Sequence, residues 1–170
     1  LWAVPLAATA SVLLVLSPTQ LAGNTHNTTR LKGGASVGLV RISDQSNGPS
    51  FQPGEQVVLQ VGPAGFSHAL VLGVDNTGAV SQLWPLDTTH SGPVPPGVVA
   101  RLAPPFEVTP GALTIHAFFS ETPIESTEAR KAMDKAVAVA RRSGGDVLQV
   151  EPEPLPHELG RARLRVSIGT

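Results

Sequence analysis

The sequence predicts a mainly β protein: an antiparallel β-sandwich with one α-helix packed against it and a transmembrane helix in front of it. From residue 35 onward, short apolar runs are separated by turn residues at intervals of about ten, a spacing typical of sandwiches of the immunoglobulin-like or a similar kind. A single segment has apolar residues at helical spacing, which argues against alternating strand and helix units. The chain of 170 residues contains no cysteine, so an apolar core must hold the domain together.

The first residues predict a membrane anchor. The chain opens with an uncharged, mostly apolar run, and the first Lys, Arg, Asp or Glu is Arg30. We predict a transmembrane helix over residues 1–17, truncated at its start because the chain begins with Leu, and a polar linker over 18–34. The alternative is the apolar region of a signal peptide cut near Ala22. The first interpretation gives a single-pass inner-membrane protein with its domain in the periplasm, and the second gives a secreted or periplasmic protein.

Within the predicted extracytoplasmic domain, residues 35–170, the strands are apolar runs bounded by Gly, Pro, Asn or Asp. Asp75-Asn76-Thr77-Gly78 predicts a tight hairpin, because Asn and Gly tolerate the positive φ of such turns. Pro104-Pro105 is expected to separate two short strands, since proline cannot donate to a sheet ladder. The predicted strands cover residues 36–42, 56–61, 67–75, 79–85, 98–102, 106–108, 112–120, 147–150 and 161–168.

The last part of the chain combines prolines with regularly spaced charges. The stretch EPEPLP, residues 151–156, predicts an extended linker. In the strand that follows, Arg161, Arg163 and Arg165 alternate with apolar residues. This alternation predicts a strand with one solvated face. An anion-binding surface is the alternative interpretation of the three arginines.

The predicted helix covers residues 122–142. Thr122-Pro123-Ile124-Glu125 matches a capping box with proline at the first helical position, and Gly144-Gly145 supplies a stop. The apolar face is mostly alanine, which permits close packing on a sheet. The predicted core combines this face with alternate strand positions: Leu39, Val57, Leu59, Leu70, Leu72, Val74, Leu83, Ile115, Ala117, Phe119, Met133, Val137 and Leu164.

Few residues point to catalysis or to a cofactor. The five histidines are scattered without the spacing of a helical metal site, so we predict no metal and no cofactor, and a core position for His116. The net charge of −1 argues against nucleic acid as a partner. We predict that the protein is not an enzyme. The alternative is a secreted or periplasmic hydrolase that uses Ser67 and His68 with an acid such as Asp75, although the second glycine of a nucleophile elbow is absent.

We predict that the binding surface lies at the loop over residues 86–97. Loops on a rigid sandwich commonly carry recognition. We expect Trp84, Asp87 and His90 to form this rim for a ligand or partner. The alternative for Trp84 is a place in the core, as expected of a tryptophan in an apolar strand.

Several short motifs occur in order between residues 30 and 123. They are Arg30-Leu31-Lys32-Gly33-Gly34, Phe51-Gln52-Pro53-Gly54-Glu55, Leu72-Gly73-Val74-Asp75 with Asn76-Thr77-Gly78, Leu83-Trp84-Pro85, and Ala117-Phe118-Phe119-Ser120 with Thr122-Pro123. This order resembles the extracytoplasmic domain of the domain of unknown function 4384 family, in particular the versions in myxobacteria-type proteins that follow a membrane helix, often behind an anti-sigma-factor zinc-finger domain or a kinase. The resemblance implies a β-sandwich-like domain of a membrane-anchored bacterial signalling or anti-sigma-factor-like protein, and it implies no catalytic residue.

These features together predict a non-enzymatic, membrane-tethered extracytoplasmic domain for sensing or interaction. Its contact with the membrane is the N-terminal helix, and its partner is a protein or a cell-envelope ligand. Its cytoplasmic output module is expected upstream of Leu1.

Overall fold

The computed structural model describes residues 29–30, 34–48 and 50–169. The predicted transmembrane helix over 1–17 and most of the predicted linker over 18–34 lie outside the described residues, and both stay predictions. Within the described ranges, no helix has the length and apolar character needed to cross a membrane.

The described strands form two sheets. In chain order the strands are β1 (Thr29–Arg30), β2 (Ser36–Arg41), β3 (Ser50–Phe51), β4 (Gln56–Gly62), β5 (His68–Asp75), β6 (Val80–Trp84), β7 (Gly92–Pro93), β8 (Ala100–Glu107), β9 (Gly111–Ser120) and β10 (Gly160–Ile168). The larger sheet has the order β1-β10-β9-β5-β6, with β3 beside β10 and β7 beside β5, and the smaller sheet has the order β2-β4-β8. All pairings except the short one between β3 and β10 are antiparallel. The predicted mainly β class with antiparallel sheets is confirmed.

The first core lies between the two sheets. Val57, Leu59 and Val61 alternate along β4 and are buried, and Ile115 and Phe119 of β9 belong to the same apolar cluster. Because strand side chains alternate between faces, these residues share one face of each strand. The two sheets therefore pack face to face.

The second core lies on the opposite face of the larger sheet. It is covered by helix α1 (Ser126–Ser143) and by the chain that follows it, residues 146–159, which we call the 146–159 segment. Leu70 and Leu72 of β5 pack here with Met133 of the helix. Since the alternate residues of β5 belong to the first core, the middle of this strand is buried on both faces. Of the predicted core residues all are buried except Leu83, which is half-buried against the first core.

Helix α1 begins four residues later than predicted, and the predicted capping box does not form. Glu125 occupies the N-cap position without a side-chain capping bond. The preceding residues are instead extended, because Ile124 and Ser91 exchange hydrogen bonds: the Ile124 amide donates to Ser91 Oγ, and the Ser91 amide donates to the Ile124 carbonyl, each at 2.8 Å. The predicted stop is confirmed, since Gly144 ends the helix with a φ of 68°.

Three other local predictions are wrong. The two short strands expected around Pro104-Pro105 are one strand, β8, which tolerates prolines because it lies at a sheet edge. The strand predicted at 147–150 is a 3-10 turn, Val147–Gln149, whose first turn is capped by the Asp146 carboxylate, 2.9 Å from the Leu148 amide. The linker predicted at 151–156 is packed on the sheet, with its Leu155 buried.

Candidate functional site

One cleft of the described surface lies where three pieces of chain meet: the loop before β7, the residues that lead into α1, and the turn near the end of the 146–159 segment. Its volume is about 580 Å³. Two imidazoles and two carboxylates lie in it beside hydroxyl and apolar groups. The polar lining consists of His90, Ser91, Glu125, Glu128 and His157, and the apolar lining of Pro123, Ile124 and Pro156.

Hydrogen bonds between the loop and the approach to α1 hold the first wall in place. The Ser126 amide donates to the Thr89 carbonyl at 2.9 Å, and the Ser126 hydroxyl donates to the Thr88 carbonyl at 3.1 Å. His90 and Glu125 are paired opposite one another as an isolated antiparallel bridge. The backbones of a histidine and a glutamate of the cleft lining are thereby held opposite one another.

A turn in the 146–159 segment supplies the opposite wall. The Leu155 amide donates to Glu158 Oε2 at 3.0 Å, and the Glu158 amide donates to the Leu155 carbonyl at 3.1 Å. Arg161 fixes the same carboxylate through Nε at 2.7 Å and Nη2 at 2.6 Å. Pro156 and His157 are the exposed residues of this turn, and His157 has a φ of 63°.

The structure separates the three residues predicted for the binding rim. His90 lines the cleft. Trp84 is half-buried and packs against the first core, with its ring so close to Gly92 that a Cβ there would lie 2.3 Å from it. Asp87 is exposed outside the lining of the cleft, at a φ of 54°.

Sequence reasoning missed the other polar residues of the cleft. Glu125 and Glu128 are three residues apart at the predicted helix start, which was a signal that both lie on one face. His157 sits in a proline-rich stretch without periodicity, so only the folded arrangement of the 146–159 segment brings it to the cleft.

The residues of the alternative hydrolase do not assemble into a triad. His68 and Asp75 occupy the two ends of β5, which at the rise of an extended strand places them roughly 23 Å apart. The Ser67 hydroxyl donates to the Glu121 carbonyl at 2.9 Å, so its 3.0 Å contact with His68 Nδ1 requires the imidazole to donate. Asp75 serves its own hairpin: burial opposes ionisation, but hydrogen bonds from Thr77 and neighbouring amides lower its pKa below the ordinary value.

The predicted alternation along β10 is confirmed, and its arginine face is solvated only in part: Arg165 is exposed, whereas Arg161 and Arg163 are half-buried beside the 146–159 segment. Arg161 pairs with Glu158 at 2.6 Å, with side chains only 13% and 9% exposed. The two arginines that follow are also paired with acids of this segment, Arg163 with Glu151 and Arg165 with Asp146. The partners lie between 3 and 19 positions away in sequence, which the alternation of arginines does not reveal.

His116 is in the core, as predicted, but its polar atoms are unsatisfied. It is fully buried on the same face of the larger sheet, and neither ring nitrogen has a hydrogen-bond partner among the described residues. Burial lowers the pKa of His116 to about 3, assisted by the positive charges of Arg163 and Arg161. The imidazole is therefore neutral in the folded protein at ordinary pH.

Fold and site together define a mainly β domain with a mixed imidazole and carboxylate cleft at its helix-covered face. Comparison with models of protein families, with curated proteins and with solved structures found no match. Within the described residues, no group of three or more His, Asp or Glu side chains is arranged to hold a metal ion.

Proposed function

We propose that the protein is a non-enzymatic interaction domain that captures a partner protein or a cell-envelope ligand in this cleft. The observation that carries the proposal is the cleft itself, in which apolar walls meet a few convergent polar groups, as is common in binding sites. Hydrogen bonds from three pieces of chain fix the backbone of its walls, so the framework that carries the polar groups is in place before a ligand arrives.

The charges of the cleft favour a ligand with a positively charged group. Among the described residues, neither Glu125 nor Glu128 has a basic side chain within ion-pair distance. Two carboxylates without a counter-ion give the cleft a negative potential that attracts cations. A lysine or arginine side chain of a partner fits this lining, because its apolar stem can pack on Ile124 and the prolines while its charged end reaches the acids.

A purely structural role of these acids makes a different prediction. Carboxylates at the start of a helix stabilise it through the helix dipole. The experiment must therefore measure binding and stability in the same variants.

A binding titration of the full chain with a hexalysine peptide, and with a hexaglutamate peptide for comparison, tests the proposal. We expect hexalysine alone to bind, and the double variant Glu125→Gln/Glu128→Gln to weaken binding at least tenfold while its unfolding transition stays close to that of the wild type. Asp134→Asn is the control for charge, since it removes one of the two negative charges that the double variant removes, at an exposed position of α1 outside the cleft. Equal loss of binding in Asp134→Asn, or no binding of hexalysine by the wild type, would contradict the proposal.

We also propose that residues 1–17 tether this domain to the inner membrane and place it in the periplasm of a bacterial signalling protein. The support is the uncharged apolar start of the sequence and the resemblance to the domain of unknown function 4384 family, which also implies an immunoglobulin-like or similar sandwich. Expression of the full chain behind a start codon in bacteria, followed by an alkaline wash of membranes, should leave the protein in the membrane pellet. A soluble periplasmic product that begins near Gly23 would favour the cleaved signal peptide instead.

A further inference from the structure

His116 lies at the centre of the larger sheet, on the face that the 146–159 segment covers. In the strand register it is the neighbour of Leu72 in β5 and of Arg163 in β10. It is fully buried, and both ring nitrogens lack a hydrogen-bond partner among the described residues. Buried polar groups nearly always have a partner, so this imidazole calls for an explanation beyond packing.

Specific contacts around His116 hold the 146–159 segment on the sheet. On one side of it in β9, the Thr114 hydroxyl donates to the Leu148 carbonyl at 2.9 Å. Beyond it in the same strand, the Phe119 carbonyl accepts from the Leu159 amide at 2.9 Å. The segment is also tied to β10 by four ion pairs: Arg161 with Glu158 and with Glu151, Arg163 with Glu151, and Arg165 with Asp146.

The charged groups near His116 oppose its protonation while the segment is in place. Arg163 and Arg161 approach it from β10, and the carboxylates of the segment that could offset them, Glu151 and Glu158, already bind these two arginines. β5 and α1 contribute apolar residues to this core. A proton on His116 is therefore stabilised only when the segment has moved away and water reaches the ring.

We propose that the 146–159 segment is an acid-released cover, whose opening is coupled to protonation of His116. Acidification below neutral pH favours the open state, because only that state gives the protonated imidazole solvent. The ion pairs along β10 set how much acidification is needed, since they must separate in the same step.

Opening removes one wall of the candidate cleft. Pro156 and His157 belong to the turn that Glu158 and Arg161 hold in place, so they leave when the segment leaves. The cleft would thus be complete at neutral pH and incomplete in acid. This regulatory consequence rests on the proposed binding function, whereas the opening itself does not.

The sign of the effect follows from the two pKa values. The pKa of His116 is lowered to about 3 in the covered state, against an ordinary value of about 6.5 when solvated. The equilibrium constant for closing is therefore highest above about pH 6.5. Between about pH 6.5 and pH 3 it falls by up to tenfold per pH unit. Carboxylates protonate near pH 4 in general, so the interval from pH 7.5 to 5 separates histidines from carboxylates, and the variants below separate His116 from the other histidines.

Residue-resolved hydrogen exchange of the full chain at pH 7.5 and 5, corrected for intrinsic exchange rates, tests the cover without any ligand. We expect the protection of the Leu155 and Leu159 amides to fall about 30-fold between these values. At both pH values we expect the protection of these two amides to stay at least tenfold below the protection of the Leu59 amide in the smaller sheet, because the segment opens without unfolding of the sheets. In His116→Leu the fall should disappear, and in His90→Gln, which changes an exposed histidine of the cleft, it should remain.

Four results would overturn the cover: no fall in the wild type, an undiminished fall in His116→Leu, loss of the fall in His90→Gln, or exchange of Leu155 and Leu159 at the rate of Leu59. If His116→Leu does not fold, the ring signals of His116 in the wild type decide. They should remain those of a neutral imidazole from pH 7.5 to 5 while protection falls, because the covered state, in which the pKa of His116 is lowered to about 3, still predominates. Titration of the ring near pH 6.5 with protection unchanged would exclude the coupling. Since no ligand is used, failure of hexalysine binding leaves this outcome untouched.

Discussion

The two faces of the larger sheet are stabilised in different ways. The face toward the smaller sheet is apolar, with Ile115, Ala117 and Phe119 of β9 buried in the first core. Successive residues of β9 point to opposite faces, and on the opposite face Thr114 and His116 lie among apolar residues. The arginines of β10 beside them are paired with carboxylates. The first face depends on burial, which changes little with pH or salt, whereas the second depends also on charge pairs, which change with both.

This difference also explains where the candidate site lies. The cleft belongs to the helix-covered side, between the approach to α1 and the 146–159 segment. Chain that is held by a few charged contacts can open more easily than a strand in a continuous apolar core. The molecule thus combines a rigid layer with a layer whose contacts respond to the surroundings.

The largest effect is expected from a cavity in the first face. Phe119→Ala removes a fully buried ring and should lower the free energy of unfolding by about 4 kcal/mol. Urea unfolding at pH 7.5 and at pH 5 should give the same loss, because no titratable group is involved. Leu159→Ala is the control at an exposed leucine, with a change of about 0.5 kcal/mol or less. A small loss in Phe119→Ala would mean that this face does not form the rigid core.

On the second face, the buried ion pair gives the next largest effect. Glu158→Gln removes the nearer counter-charge of the mostly buried Arg161 guanidinium and leaves only Glu151 at 3.6 Å, so it should cost about 3 kcal/mol, the low end for breaking a buried pair. The same substitution at Glu153, whose pair with Lys135 is 63% and 73% exposed, should cost about 0.5 kcal/mol or less. Urea unfolding of the two variants gives the comparison, and equal losses would show that the cover depends on total charge rather than on the buried pair.

Trp84 tests where the first core ends. Trp84→Ala removes a half-buried ring that packs against this core, so we expect a loss of about 2 to 3 kcal/mol, below the usual range for a fully buried tryptophan. Hexalysine binding should not change, because Trp84 does not line the cleft. An unchanged melting temperature together with weakened binding would restore Trp84 to the binding rim that the sequence predicts.

The sequence predicted the features that depend on residues close together along the chain. Alternation in β4 and β9 identified their buried residues, and the run Asp75–Gly78 identified its hairpin, since both depend only on neighbours along the chain. The start of α1 was missed because Ser91, over 30 positions away, holds Ile124 in an extended conformation. Of the candidate site, His90 was predicted from its loop, while His157 and the pairing of the arginines depend on how the 146–159 segment folds back, for which the sequence carries no periodic signal.

The smallest expected effect is the pH dependence of the second face. Since the pKa of His116 is lowered to about 3 in the folded protein, the unfolded chain binds this proton more readily, and stability is present above about pH 6.5 and falls between there and pH 3. From pH 7.5 to 5 the wild type should lose about 2 kcal/mol of unfolding free energy. His116→Leu should abolish that loss without lowering stability at pH 7.5, because an apolar side chain replaces a buried polar group that has no partner. Urea unfolding at the two pH values measures both quantities, with His90→Gln expected to keep the wild-type loss. If His116→Leu keeps it as well, another group is responsible, and the two faces of the sheet would no longer differ in the way that the buried imidazole implies.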